Sequence, residues 1–170
     1  MAVTVEDGSN VAGSNAYTNE AAYIAWASLT FDETVTTSDA LSAAIVRACQ
    51  RLDSLPWKGW RTYGRAQAMA FPRSEMTDGE GNEISEDEIP AEVIEAQHYM
   101  TRAELASPGS LSPSITRQGQ KVLNKVGDLG WEVTGAPNTI DSYRPVMTAV
   151  DDLLAGLLIG GGATTLLLRG

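Results

Sequence analysis

Aromatic and basic residues alternate in one short stretch of the sequence. The stretch contains Trp57, Lys58, Trp60, Arg61, Tyr63, Arg65, Phe71 and Arg73. Rings that stack on unpaired bases, beside cations that neutralise phosphates, are typical of surfaces that bind single-stranded nucleic acid. On this interpretation the binding residues are Trp57, Lys58, Trp60, Arg61 and Arg65. Alternatively, Trp57 and Phe71 lie in the core, as most tryptophans of small domains do, and the cations pair with acids of the same or a neighbouring chain.

The charged residues form two consecutive blocks of opposite sign. Six bases and one acid lie between Arg47 and Arg73, whereas nine acids and no Lys or Arg lie between Glu75 and Glu95. The formal net charge of −10 favours the core interpretation, because general nucleic-acid binders usually present a net basic face. The acidic block is either a solvated loop or the complement of the basic block on an identical copy, as in a head-to-tail ring. The predicted subunit interface would then contain Arg47, Arg51, Lys58, Arg61, Arg65, Arg73, Glu83, Glu86, Asp87 and Glu88.

The sequence contains no catalytic or metal-binding motif that we recognise. A nucleophile triad or a zinc site needs histidine or several cysteines, but the chain has one histidine, His98, and one cysteine, Cys49. We expect His98 to be a partly exposed helix residue and Cys49 to be buried and inert. Neither Asp151 and Asp152 nor the acids from Asp78 to Glu83 have the spacing of a metal site. We therefore predict no enzymatic activity, no catalytic residues, no metal and no cofactor.

Length and composition indicate one globular domain. With 170 residues, 43% of them hydrophobic and 20% charged, the chain can bury a substantial core. No apolar run approaches the roughly 20 residues of a membrane span, and the first residues lack the pattern of a signal peptide. We therefore expect a soluble protein of the cytoplasm, or of a particle assembled there, with no membrane contact.

Hydrophobic periodicity predicts four helices. The first follows an N-cap at Thr18 and carries Leu29 on its apolar stripe. The second is capped by Ser38 and ended by Pro56, the third starts at Pro90, and the fourth runs from about residue 144 to the glycines at 160–162. A β-hairpin is predicted near residues 115–134. We thus expect a mainly α fold, a small bundle of about four helices, with residues 1–159 as the domain and 160–170 as an extended, flexible tail.

Several short motifs resemble those of a family of tailed-bacteriophage proteins. The motifs lie at residues 5–17, 43–48, 52–53, 57–59, 68–73 and 89–90. The family is labelled DnaT-like single-stranded-DNA-binding protein, and the sequence also resembles the head–tail connector, adaptor or head-completion proteins that lie beneath the portal. The resemblance extends over about residues 3–106.

The resemblance implies a structural virion protein of the neck, assembled in the host cytoplasm. It would form a ring, expected to be a dodecamer, that joins the portal to tail or neck proteins and lets DNA pass without specific binding. The portal-binding tail would comprise Thr165, Leu166, Leu167, Leu168 and Arg169. This connector is the leading prediction, and the alternative is a single-stranded-DNA-binding protein of phage replication or recombination.

Overall fold

The computed structural model describes residues 2–113 and 145–160. These residues contain four α-helices, which confirms the prediction of a mainly α fold. They are α1 (Glu20–Phe31), α2 (Asp39–Asp53), α3 (Ala91–Ala106) and α4 (Thr148–Leu154). The predicted hairpin near 115–134 and the predicted tail beyond Gly160 lie outside the described residues. No helix in the described ranges is long and apolar enough to cross a membrane.

Two small antiparallel sheets that the sequence did not predict lie between α2 and α3. In the first sheet, β1 (Trp60–Arg61) pairs with β2 (Arg73–Ser74), and in the second, β3 (Met76–Thr77) pairs with β4 (Glu83–Ile84). Each ladder is only two residues long, so no period-two pattern of hydrophobic residues could reveal it.

Side-chain capping determines where α1 and α2 begin. Ser38 caps α2 as predicted, since its Oγ accepts a hydrogen bond from the Leu41 N–H. The predicted cap of α1 is wrong by one residue, because Asn19 Oδ1 accepts from the Ala22 N–H at 2.9 Å. Thr18 instead places its hydroxyl 2.8 Å from His98 Nε2. Both residue types cap helices well, and the contact with His98 occupies the threonine.

Two predicted apolar positions are exposed. Leu29, near the end of α1, is 90% exposed because the buried face of that helix consists of Tyr23 and Ala27. The fourth helix begins at Thr148, later than predicted, and the preceding Val146 is 84% exposed.

The core forms where α2 packs against α3 and α3 packs against α4. Trp57 and Phe71 lie within it, with their rings edge to face at a centroid separation of 4.8 Å. Trp57 is only 4% exposed, and its indole N–H donates to the Leu52 carbonyl. The core interpretation of these two rings is therefore confirmed.

His98 is buried, contrary to the expectation that it is partly exposed. It lies between Thr18 and the Trp26 ring, whose centroid is 5.1 Å from that of the imidazole. Burial lowers the pKa of His98 to about 4, because the cationic form is desolvated there. The native state therefore holds this side chain neutral at physiological pH.

The buried imidazole should make stability depend on pH. Between pH 6.5 and 4 the unfolded chain protonates His98 while the native state does not, so the free energy of unfolding falls as pH falls. We expect His98→Gln, which keeps a polar group near Thr18, to lower Tm at pH 7 but to lose less Tm on acidification. The two proteins should differ in this loss of Tm by about 2–4 °C for each kcal/mol that protonation of His98 in the unfolded chain removes from the free energy of unfolding. Melting curves at pH 7 and pH 4.5 measure this, and parallel losses in both proteins would contradict it.

Candidate nucleic-acid interface

The basic loop, residues 57–74, connects the end of α2 to the second sheet. It carries four of the predicted site cations and no acid. Its two ends pair as β1 and β2, with Trp60 opposite Ser74 and Arg61 opposite Arg73. Two cations that face each other across a ladder repel, so this pairing needs other interactions to hold it.

Arg73 supplies such interactions. Its guanidinium donates to the carbonyls of Lys58 at 2.6 Å, Gly59 at 2.7 Å and Ala70 at 3.2 Å. Burial and the neighbouring Arg61 lower the pKa of Arg73. Because its N–H groups are directed at the backbone of its own loop, Arg73 fastens the two ends of the loop together.

Gln67 shapes the interior of the loop. Its side-chain amide donates to the carbonyls of Met69 and Pro72, and its oxygen accepts from the Tyr63 N–H. Gln67 is buried, so these bonds are shielded from competing water. The turn at Gly64–Ala66 is therefore held in one conformation from within.

The residues between these anchors are exposed. The Trp60 side chain is 70% exposed and that of Tyr63 is 44% exposed, while Arg61 and Arg65 are also exposed. We call these four residues the aromatic–basic ribbon. Neighbouring residues of a strand point to opposite faces, so the indole of Trp60 and the guanidinium of Arg61 extend from opposite sides of the β1–β2 pair.

Within residues 2–113 and 145–160, no salt bridge joins a ribbon cation to an acid. The ion pairs found there are Arg47–Glu104 and Arg102–Glu33. Arg61 donates to the Gln67 carbonyl at 3.3 Å and interacts electrostatically with the carboxylate of Asp53, whereas Arg65 is exposed. Two rings and two cations are thus exposed and could contact a ligand that has flat faces and negative charge.

Other predicted site residues have structural contacts. Trp57 is in the core, so its ring cannot stack on a base, and it is removed from the candidate surface. The Lys58 ammonium donates to the Gly156 carbonyl at 2.6 Å, which ties the loop to the segment after α4. Arg47 pairs with the buried carboxylate of Glu104, and Arg51 donates to Ser54 Oγ at 3.0 Å.

The predicted acidic site residues lie on one side of the basic loop. Glu83 is in β4, and Glu86, Asp87 and Glu88 form the exposed segment that precedes α3. Tyr63 was part of the sequence pattern but not of the predicted binding set. Its place before a glycine in a loop is the signal that could have indicated an exposed ring.

Comparison with known protein families decides between the two predicted functions. The family described as "Putative DnaT-like ssDNA binding protein" matches residues 1–170. The chain belongs to this family. No curated protein and no solved structure is similar enough to the chain to match it.

Membership in the DnaT-like family confirms one half of the predicted resemblance and overturns the other. The prediction of a head–tail connector is wrong, because the family model that matches the chain is described as one of DnaT-like single-stranded-DNA-binding proteins. The predicted portal and tail or neck partners, and the predicted passage of DNA without specific binding, are wrong for the same reason. The assignment of ten charged residues to a subunit interface stays a prediction, and the tail residues Thr165, Leu166, Leu167, Leu168 and Arg169 lie outside the described residues.

Gly59 allows the two ends of the loop to approach each other. Its φ is +64°, and a Cβ built there would lie 2.3 Å from the Ser74 carbonyl oxygen. Gly64 has a similar φ of +63°, but a Cβ there would have no atom within 4 Å.

Gly59→Ala and Gly64→Ala should therefore both lose about 1–2 kcal/mol of unfolding free energy because of the left-handed backbone, while only Gly59→Ala also displaces β2. We expect a larger loss of unfolding free energy in Gly59→Ala by urea denaturation. Equal losses would show that the close approach at Gly59 contributes nothing.

Proposed function

We propose that this protein binds single-stranded DNA through the aromatic–basic ribbon, as a binding protein and not an enzyme. The observation that carries the proposal is the exposure of the Trp60 and Tyr63 rings beside two exposed arginines that form no salt bridge within the described residues, on a loop fastened to the core. The family to which the chain belongs supports the same ligand.

The exposed rings would supply the stacking energy. A base stacked on an aromatic side chain contributes about 1–3 kcal/mol and does so for any base, because every base has a π face. Trp60 leaves most of its indole in water, and a stacked base would remove that apolar surface from water. Binding would then depend little on the sequence of the strand.

The cations would supply the phosphate contacts. Arg61 extends from a ladder only two residues long, and Arg65 lies in the turn Gly64–Ala66 that follows it. The faces of the ladder that carry Trp60 and Arg61 are therefore close to each other across its edge. A single strand has freely rotating backbone bonds and can curve around such an edge. Its bases would stack on one face while its phosphates meet the guanidinium of Arg61 near the other.

Loss of the Trp60 ring should weaken binding substantially. We expect Trp60→Ala to raise the Kd for an oligothymidylate of about 20 nucleotides by about 5–150-fold, the equivalent of one stacked base. Trp60→Phe should retain most of the affinity because it keeps a ring. Leu29→Ala, which removes another exposed apolar side chain from α1, is the matched control and should bind like the wild type. Fluorescence anisotropy measures all four proteins, and unchanged binding by Trp60→Ala would refute the proposed surface.

The ribbon arginines should determine the salt dependence of binding. Each phosphate contact on a single strand contributes about 0.7 to the slope of log K against log salt. Arg61→Gln and Arg65→Gln should each reduce that slope by about this amount between 50 and 200 mM salt. Arg102→Gln changes net charge equally but lies on α3, paired with Glu33, and should leave the slope unchanged. A similar reduction in all three variants would mean that the overall charge, and not the ribbon, controls binding.

A further inference from the structure

A second charged segment touches the ribbon. The acidic turn, which we define as residues 86–88, consists of Glu86, Asp87 and Glu88, and all three side chains are exposed. The Thr62 hydroxyl donates to the Glu86 carbonyl at 2.9 Å. Since Thr62 stands between Arg61 and Tyr63, this bond fixes the acidic turn directly beside the residues proposed to bind DNA.

The acidic turn is held in place from its other side as well. Gly8 of the N-terminal arm packs so closely on it that a Cβ at this position would lie 1.8 Å from the Asp87 carbonyl oxygen. The preceding residue, Ser85, donates from its Oγ to Asp87 Oδ1 at 2.6 Å and accepts at its carbonyl from the Glu88 N–H at 3.1 Å. The backbone of the acidic turn is therefore held in one place beside the ribbon.

The two surfaces adjoin but do not neutralise each other. In the described part of the chain, no ion pair links the acids of this turn to the ribbon cations. The negative field at this border of the ribbon is therefore available to act on a ligand. At physiological salt it extends over a Debye length of about 8 Å.

A duplex and a single strand would experience this border differently. Duplex DNA carries one negative charge per roughly 1.7 Å of axis and stays straight over about 50 nm. To place phosphates on Arg61, a duplex must bring its second strand over neighbouring surface, where the like charges of the acidic turn oppose it. A single strand carries fewer charges and can bend away from the acidic turn.

We infer that the acidic turn is a specificity determinant that excludes double-stranded DNA from the ribbon. The inference rests on the proposed single-strand binding and assigns selectivity to residues that do not contact the bound strand. We assign the exclusion of duplex DNA to Glu86 and Glu88, because their carboxylates form no hydrogen bond within the described residues. The carboxylate of Asp87, by contrast, accepts one from Ser85.

The test compares two double variants that remove the same charge. Glu86→Gln with Glu88→Gln neutralises the acidic turn, and Asp151→Asn with Asp152→Asn neutralises two exposed acids of α4. Kd is measured for oligothymidylate and for a duplex of equal length, at 50 and 200 mM salt. We expect the first variant to bind duplex about tenfold more tightly at 50 mM, with less gain at 200 mM, while its single-strand affinity changes less than threefold. The α4 variant should keep the wild-type selectivity.

The outcomes separate this inference from the proposed function. If the wild type binds single strands selectively and the Glu86/Glu88 variant does so equally, the inference fails and the proposed function stands. If both double variants gain equally on both ligands, the effect is that of net charge and the inference is again overturned. If the wild type binds no single strand, the proposed function itself fails.

Discussion

The fold depends on buried polar side chains that join segments far apart in sequence. Gln97 of α3 accepts a hydrogen bond from the Tyr17 N–H and donates to the Ile45 carbonyl of α2. The Tyr17 hydroxyl donates to Asp53 and accepts from the Phe71 N–H. One network therefore positions the N-terminal arm, both central helices and the basic loop. Leaving any of its buried groups without a partner would cost about 1–3 kcal/mol, so the loop cannot move without disturbing the helices.

This constraint explains why residues of one type have different roles. Trp57 and Trp60 are three positions apart, yet the first fills the core and the second is exposed to solvent. Arg73 directs its guanidinium at the carbonyls of its own loop, whereas Arg61 on the facing strand has one long bond to a carbonyl. Residues near the network and the core serve the fold, whereas the ribbon lies between the two anchored ends of the loop and is exposed.

The sequence predicts those features that local chemistry determines. The α2 helix combines a serine cap with a continuous apolar stripe, and Pro90 precedes α3 as predicted. By contrast, the segment after α4 meets the residue that precedes the basic loop, since the Ile159 N–H donates to the Pro56 carbonyl. No periodicity encodes such a distant contact. The sequence leaves open whether the acidic block is a solvated loop or the complement of the basic block on another copy. The Thr62–Glu86 bond shows in addition that the two blocks touch within one chain.

That adjacency reconciles an acidic protein with an anionic ligand. A net charge of −10 describes the field far from the molecule, whereas contacts are governed by charges within about one Debye length. At the ribbon the nearby charges are guanidinium groups, while the acids beyond Thr62 form a border. Because single strands can curve and duplexes cannot, a narrow basic surface with an acidic border favours the flexible ligand. On the proposed function, the excess of acid that argues against general nucleic-acid binding would contribute to the selectivity for single strands.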